Sequence, residues 1–176
     1  MCIRDGFFYG PLAKSPVTKF PTQSRVVIRF IPRTPNASEF LTLRAETDWG
    51  VPDPSQMEGI LAHSPWGIVA YDGDQIIGMT RCVGDGILIL YLQDVIIAKS
   101  HRGQGIGRQL ITNLIQHLEA ICSQDCTIGL FAAIGQSGFY ESLGFQSRNT
   151  KFYGPGMHGT YSDLLKRSLA MSVSST

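Results

Sequence analysis

The stretch YLQDVIIAKSHRGQGIGRQLITNLIQHLEAI, residues 91–121, decides the fold of this chain. It opens with apolar, partly β-branched residues, including Val95, Ile96 and Ile97, which predict a strand. Residues 99–107 form a glycine-rich turn. Apolar residues then recur at helical spacing on one face, at Ile106, Leu110, Ile111, Leu114, Leu118 and Ile121. The stretch is therefore predicted to be a strand, a turn and an amphipathic helix.

The turn has the composition of an anion-binding loop. It contains three glycines, Gly103, Gly105 and Gly107. Because glycine lacks a Cβ atom, backbone N–H groups can approach a bulky oxyanion there, and the helix that follows adds unpaired N–H groups and the positive end of its dipole. Four side chains that can carry positive charge flank the loop: Lys99, His101, Arg102 and Arg108. The pattern predicts a site for a phosphate or pyrophosphate.

Three kinds of phosphate-binding loop, each with its own glycine motif, could account for this turn. A P-loop needs a Gly-Lys pair, and the chain contains none. A dinucleotide fingerprint needs G-x-G-x-x-G, but from Gly103 or Gly105 the third glycine would fall on Arg108 or Leu110. The pattern R-x-x-G-x-G is met, by Arg102, Gly105 and Gly107.

This loop resembles that of the GNAT superfamily of N-acetyltransferases, in which it holds the pyrophosphate of acetyl-CoA. A second match, the segment FYESLGF at residues 139–145, stands at the spacing and order that the family shows. The resemblance covers about Val26 to His158. It implies a GNAT-like α/β fold with a mixed, mostly antiparallel sheet flanked by helices, splayed between strands 4 and 5 to admit the pantetheine arm.

Composition sets the broad class of the protein. The chain has 176 residues, 43% of them hydrophobic, with a net charge of +1, which suits one soluble globular domain. The charge gives no case for nucleic acid or an anionic membrane as a partner. No apolar run is long enough for a membrane span, and no signal-peptide core is found, so a cytoplasmic location is predicted. The cysteines at positions 2, 82, 122 and 126 predict neither a metal site nor a required disulfide.

The sequence also predicts the domain limits and the other strands and helices of the chain. Residues 1–24 are predicted to be a tail or surface strap, 25–170 the N-acetyltransferase domain and 171–176 a second tail. Strands are predicted at residues 25–31, 66–71, 75–83, 87–97, 126–131 and 146–153, the fifth of them parallel to its neighbour. Helices are predicted at 36–47, with an Asn36–Glu39 capping box, at 54–63, at 106–121 and at 136–143. Residues 161–170 look helical where family members usually have a strand.

The resemblance implies the acetyl-CoA contacts. Backbone groups of Val95, Ile96 and Ile97 would bind the pantetheine and polarise the thioester carbonyl. The remaining predicted contacts come from the glycine loop and one tyrosine: Arg102, Gly103, Gln104, Gly105, Ile106, Gly107, Arg108 and Tyr140. Family members often carry an Asn seven residues before this tyrosine, where this chain has Ala133, so that contact is not transferred.

Tyr140 is the predicted general acid, because a phenol with a pKa of about 10 can protonate a departing thiolate. The alternative is a packing tyrosine that only contacts CoA. The base is less defined. Asp94 could draw the proton from the amine through water or could instead brace the structure, and Glu46 and Asp48 are rivals. Trp49 is a candidate wall of the acceptor site or a packing residue.

The family's strand-4 Glu aligns with Tyr91, which is a second candidate for the acceptor side. His101 and His158 are expected on surface loops.

The predicted function is transfer of an acetyl group from acetyl-CoA to a primary amine, by direct attack in a ternary complex. A small-molecule amine is preferred over a protein acceptor, no metal is expected, and a homodimer is left open. The alternative is a GNAT-like module that senses acetyl-CoA without turnover.

Overall fold

The computed structural model describes residues 27–148 and Gly154. Five strands lie within these described residues: β1 (Ile28–Ile31), β2 (Trp66–Asp72), β3 (Gln75–Gly84), β4 (Ile89–Ile97) and β5 (Thr127–Gly129). Four α-helices accompany them: α1 (Ala37–Arg44), α2 (Met57–Ala62), α3 (Ile106–Leu118) and α4 (Ser137–Glu141). Short 3-10 turns precede α2 and α3, at Pro54–Gln56 and Lys99–His101.

The strands form one sheet in the order β1-β2-β3-β4-β5. The first four are antiparallel, and β5 runs parallel to β4 because the α3 crossover separates them. The predicted mixed, mostly antiparallel sheet flanked by helices is confirmed.

Strand β4 begins two residues later than predicted, at Ile89 rather than Ile87. The carboxylate of Asp85 accepts the backbone N–H groups of Ile87, Leu88 and Ile89, at 2.7, 2.8 and 3.1 Å. These bonds close a side-chain turn in place of ladder pairing, which is the behaviour expected of Asp in a turn. They also lower the pKa of Asp85.

Helix α1 has the predicted capping box. The Asn36 side chain accepts from the Glu39 N–H at 3.0 Å, and the Glu39 carboxylate accepts from the Asn36 N–H at 2.8 Å. The helix ends at Arg44, earlier than the predicted Thr47, because the N–H groups of Glu46 and Thr47 bond carbonyls only three residues back.

The core lies between the helices and the sheet. The predicted apolar face of α3 is buried, at Ile106, Leu110, Ile111, Leu114 and Leu118. Ile121, beyond the helix end, is half-buried. Phe40 and Leu43 of α1 are buried as well. None of the described helices is long and apolar enough to cross a membrane.

Strands β4 and β5 separate after a short paired segment. Only residues 89–91 pair with 127–129, and β4 continues to Ile97 without β5 beside it. Strand β5 ends at Gly129, so it is shorter than the predicted 126–131. The predicted splay is therefore present, and within residues 27–148 no strand pairs with this edge of β4 at residues 92–97.

Several predicted segments lie wholly or partly outside the described residues. These are the N-terminal tail, the helical segment 161–170 and the last tail, together with Cys2 and His158. The predicted strand at 146–153 is described only at its start, where residues 146–148 are not in a strand. The other three cysteines, Cys82, Cys122 and Cys126, are free thiols.

Candidate active site

A cavity of about 890 Å³ opens along the unpaired half of β4. Its walls come from the loop after α1, from β4, from the glycine loop and from α4 with the loop before it. The lining residues include Arg44, Glu46, Asp48, Trp49, Tyr91, Asp94, Val95, Ile96, Ile97, Arg102, Gly103, Gly105, Ile106, Gly107, Arg108, Phe131, Phe139 and Tyr140. The structure thus brings nearly all the predicted site residues to one cleft.

The glycine loop has the backbone conformation that an anion site requires. Gly103 and Gly105 adopt left-handed φ values of 73° and 78°, which glycine reaches without a steric penalty. Gly105 is the N-cap of α3 and supplies no side-chain cap, so the first N–H groups of the helix are open to a ligand. A Cβ at Gly103 or Gly105 would meet nothing within 4 Å, so backbone conformation, not crowding, selects glycine here.

Gly107 differs from these two glycines because it lies against α4. A Cβ there would lie 3.4 Å from Cζ of Phe139, in ordinary van der Waals contact. Its neighbour Arg108 donates to the Ser142 hydroxyl at 2.8 Å and to the Ser142 carbonyl at 3.2 Å. The start of α3 is thereby held against α4.

Two other loop residues contact protein groups. Arg102 donates through Nε to the Ile97 carbonyl at 2.9 Å, which links the loop to the end of β4. Gln104 does not border the cavity, and its amide donates to the Ser100 carbonyl at 3.2 Å. The backbone of the loop is therefore better placed for a ligand than the Gln104 side chain.

Two tyrosines, Tyr91 and Tyr140, line the cleft. Tyr140 on α4 is half-buried and packs edge-to-face with Phe139 and Phe145, at centroid distances of 5.0 and 5.9 Å. Burial raises its pKa, and the nearby Tyr91 raises it further. Within residues 27–148 its hydroxyl has no hydrogen-bond partner, so the group stays protonated at neutral pH and is free to donate.

Tyr91 is more constrained. Its hydroxyl accepts the backbone N–H of Phe131 at 2.9 Å, and the two rings pack edge-to-face at 5.3 Å. Burial raises the Tyr91 pKa as well. The bond to Phe131 joins β4 to the chain beyond β5 at the point where the strands separate.

Asp94 is buried in an ion-pair network. Its side chain is 1% exposed, and its two oxygens contact Arg44 and Arg81. This geometry favours the bracing role over the general-base role, because an amine or water in the cleft has little access to the carboxylate. The sequence analysis missed both arginines. The available signal was an acid within an apolar strand, which needs a cationic partner when buried.

The acceptor-side candidates lie on the loop after α1. Trp49 is 47% exposed and sits under the Arg44 guanidinium, 5.2 Å from ring centroid to Cζ. The Glu46 carboxylate accepts the Lys99 N–H at 2.6 Å, so it ties this loop to the end of β4. Asp48 borders the cavity with no such bond. His101, expected on a surface loop, is half-buried and contacts Asp72 at 3.3 Å.

No group of three or more potential metal ligands occurs among residues 27–148 and Gly154.

Comparisons with known proteins agree with this geometry. Residues 65–147 match the family model of the GNAT acetyltransferase domain. Two curated Arabidopsis thaliana relatives are GCN5-related N-acetyltransferases 2 and 1, both chloroplastic. The first is 32% identical over 74 residues, 42% of this chain and 28% of the relative. The second is 31% identical over 71 residues, 40% of this chain and 35% of the relative. The matched segment thus spans about a third of each curated relative.

Solved structures share the architecture. A GNAT family acetyltransferase from Streptococcus pneumoniae is 26% identical with a TM-score of 0.62, over 76% of this chain and 98% of that one. A protein of unknown function from methicillin-resistant Staphylococcus aureus is 21% identical with a TM-score of 0.66, over 77% of this chain and 100% of that one, and shows the fold alone. With the glycine loop, the splayed sheet and the family match in agreement, residues 65–147 are identified as a GNAT acetyltransferase domain.

Proposed function

We propose that this protein is an N-acetyltransferase that moves the acetyl group of acetyl-CoA to a primary amine by direct attack in a ternary complex. The amine nitrogen forms a bond to the carbonyl carbon, and the carbon–sulfur bond breaks. The amine loses a proton to solvent or to a base, and the departing thiolate gains one. A small-molecule amine is preferred over a protein acceptor.

One observation carries the proposal. The uncapped start of α3, the left-handed glycines, the free half of β4 and Tyr140 all border a single cavity. The first two suit a pyrophosphate, and free strand N–H and C=O groups suit the amides of a pantetheine arm. A donor hydroxyl on the same cavity suits a thiolate leaving group.

Tyr140 is the proposed acid. Its raised pKa keeps the phenol protonated at neutral pH, and its packing between Phe139 and Phe145 fixes the ring. The hydroxyl is therefore available when the carbon–sulfur bond breaks. The backbone of Val95 to Ile97 and of residues 102–107 is proposed to bind the cosubstrate, as is Arg108.

The acceptor would lie beside Trp49 and Tyr91. These rings, with Phe131, give the cavity aromatic walls, and Asp48 adds a carboxylate that attracts a cationic amine. Such walls suit a compact amine with an apolar body. The domain limits of 25–170, the cytoplasmic location and a homodimer remain predictions.

The test measures binding and turnover separately. Calorimetry with coenzyme A and acetyl-CoA reports binding, and thiol release over a panel of amines reports turnover. Gly105→Asp should weaken acetyl-CoA binding at least ~10-fold, or ~1.4 kcal/mol, because it places a carboxylate where the phosphates would lie. Gly73→Asp is the matched control, since Gly73 also has a left-handed φ and an open Cβ direction but lies in the β2–β3 turn.

The outcomes separate the hypotheses. Tight binding with thiol release stimulated by an amine supports the acetyltransferase. Binding without turnover on any amine supports the sensor alternative. Unchanged affinity in a folded Gly105→Asp protein would contradict the loop assignment.

A further inference from the structure

Strand β4 contains a bulge next to the cleft. Met79 pairs with Ile96 and Arg81 pairs with Gln93, so the single residue Thr80 faces two residues of β4, Asp94 and Val95. Asp94 has a φ of 53° and is the only non-glycine residue with a positive φ among residues 27–148. Glycine usually occupies this position in a bulge, because a side chain is strained there. Something outside the backbone must therefore hold Asp94 in place.

The holding contacts come from two arginines. Arg81 Nε donates to Asp94 Oδ2 at 2.7 Å, and Arg44 Nη1 contacts Oδ1. The arginine side chains are nearly as buried as the carboxylate, at 16% exposure for Arg44 and 13% for Arg81. Charge-assisted hydrogen bonds in such surroundings are strong and directional. Both carboxylate oxygens are thereby fixed.

Arg44 extends the same network to the acceptor-side loop. Its Nε donates to the Gly50 carbonyl at 2.8 Å, its Nη2 donates to the Trp49 carbonyl at 3.2 Å, and its guanidinium stacks on the Trp49 ring. On the other side Arg81 donates to the Ser64 hydroxyl and lies over Phe40. One carboxylate thus connects the bulge, α1, the loop after it and the end of α2.

We propose that Arg44, Arg81 and Asp94 form a positioning unit. This unit orients the backbone of β4 toward the thioester carbonyl and couples that orientation to the conformation of the acceptor-side loop. A bulge changes which backbone groups face each edge of a strand. The conformation of Asp94 therefore decides what residues 95–97 present to the cleft. The inference rests on the proposed function and assigns Asp94 a positioning role instead of a general-base role.

Infrared spectroscopy of the acetyl carbonyl of bound acetyl-CoA tests this proposal directly. Infrared difference spectra of bound acetyl-CoA, with unlabelled and isotope-labelled carbonyl, report its polarisation, since hydrogen bonds lower the stretching frequency. Arg44→Gln and Asp94→Ala should abolish at least about half of the frequency shift produced by binding. Affinity for coenzyme A, which has no acetyl carbonyl, should change by less than about threefold.

Asp94→Asn separates positioning from proton transfer. Asn tolerates a left-handed φ and keeps an oxygen acceptor, so it should retain most of the frequency shift. With an amine acceptor from the panel, it should also keep the acid limb of the pH–rate profile. Loss of that limb would make Asp94 the base and overturn the proposal.

Arg33→Gln is the matched control. It removes an arginine from another buried carboxylate, Glu39, that does not border the cavity, so it should leave the carbonyl frequency unchanged. A binding-induced frequency shift of wild-type size in folded Arg44→Gln overturns the positioning unit alone, even if Asp94→Ala does not fold. A wild-type protein that fails to bind coenzyme A overturns the proposed function and this inference with it.

Discussion

The two ends of helix α1 hold a carboxylate and a guanidinium in different ways. At its start, Glu39 accepts a bidentate pair of bonds from Arg33, at 2.8 and 2.7 Å, and also contacts Tyr71. At its end, Arg44 reaches Asp94 in the β4 bulge. Glu39 lies in regular helix, whereas Asp94 has a left-handed backbone. The same pair of chemical groups therefore closes a local cap at one end and holds an unusual backbone beside the cleft at the other.

The two clusters also differ in how far along the chain their partners lie. Arg33 is 6 residues from Glu39, whereas Arg44 is 50 residues from Asp94 and Arg81 is 13. The Arg33–Glu39 pair can form as soon as the first turn of α1 forms, and Tyr71 joins it when β2 packs nearby. The second needs the sheet and α1 to be packed together. We therefore expect the Glu39 cluster to affect stability alone and the Asp94 cluster to affect both stability and the cleft.

The largest expected effect comes from Asp94→Ala. It removes the partner of two buried arginines, and breaking a buried ion pair costs about 3–5 kcal/mol of unfolding free energy. Asp94→Gly should be more stable than Asp94→Ala by about 1 kcal/mol, because glycine accepts the left-handed φ. Urea unfolding of both variants measures this. An Ala variant as stable as the Gly variant would contradict the account of the bulge.

Tyr140→Phe comes next and should affect the cleft without the fold. Loss of the hydroxyl should lower kcat by about 100-fold, the low end for general acid catalysis, while the KM for acetyl-CoA changes little. The unfolding midpoint should stay close to that of the wild type, because the ring keeps its packing. The loss of kcat should shrink with an acyl donor whose thiol is more acidic. Wild-type kcat in the variant would show that the proton comes from elsewhere.

Glu39→Gln should lower stability at neutral pH by about 1.5–3 kcal/mol, the usual contribution of hydrogen bonds to a charged group. The bonds from Arg33 come first among the causes that lower the pKa of Glu39 from 4.5 to about 2. The ionised group therefore contributes stability above pH 4.5, and that contribution is lost as the pH falls toward 2. The gap between wild type and variant should close over this window, as measured by urea unfolding at several pH values. A change in acetyl-CoA affinity in Glu39→Gln would contradict the expectation that the Glu39 cluster, unlike the Asp94 cluster, affects stability alone.

Arg44→Lys should have the smallest effect. Lysine keeps the charge, but its ammonium cannot contact Asp94 and the carbonyls of Trp49 and Gly50 together, so about 1 kcal/mol of stability should be lost. The Trp49 ring also loses its stacked guanidinium. Fluorescence of Trp49 in a Trp66→Phe background should therefore change. Identical spectra would indicate that Arg44 does not order the acceptor-side loop.

Predictions from the sequence are correct where the interaction that causes the local structure joins residues only a few positions apart. Strands β2 and β3 were predicted to within one residue of their observed bounds, and the α1 cap followed from Asn36 and Glu39. The late start of β4 was missed, because the reach of the Asp85 side chain to three N–H groups is not visible in a pattern of apolar residues. The hydrogen bonds from Arg108 to Ser142 were not predicted, because they depend on how α3 and α4 pack.

The sequence was enough to indicate the family resemblance, to predict an anion-binding loop and to give the order of β1 to β5 and of α1 to α4. These depend on backbone conformation and hydrophobic period, which act over one turn or one strand. Only the tertiary structure shows what surrounds Asp94. Its geometry places the carboxylate between two arginines from separate elements, and the identity of a buried charge's partner is known only once those elements pack around it.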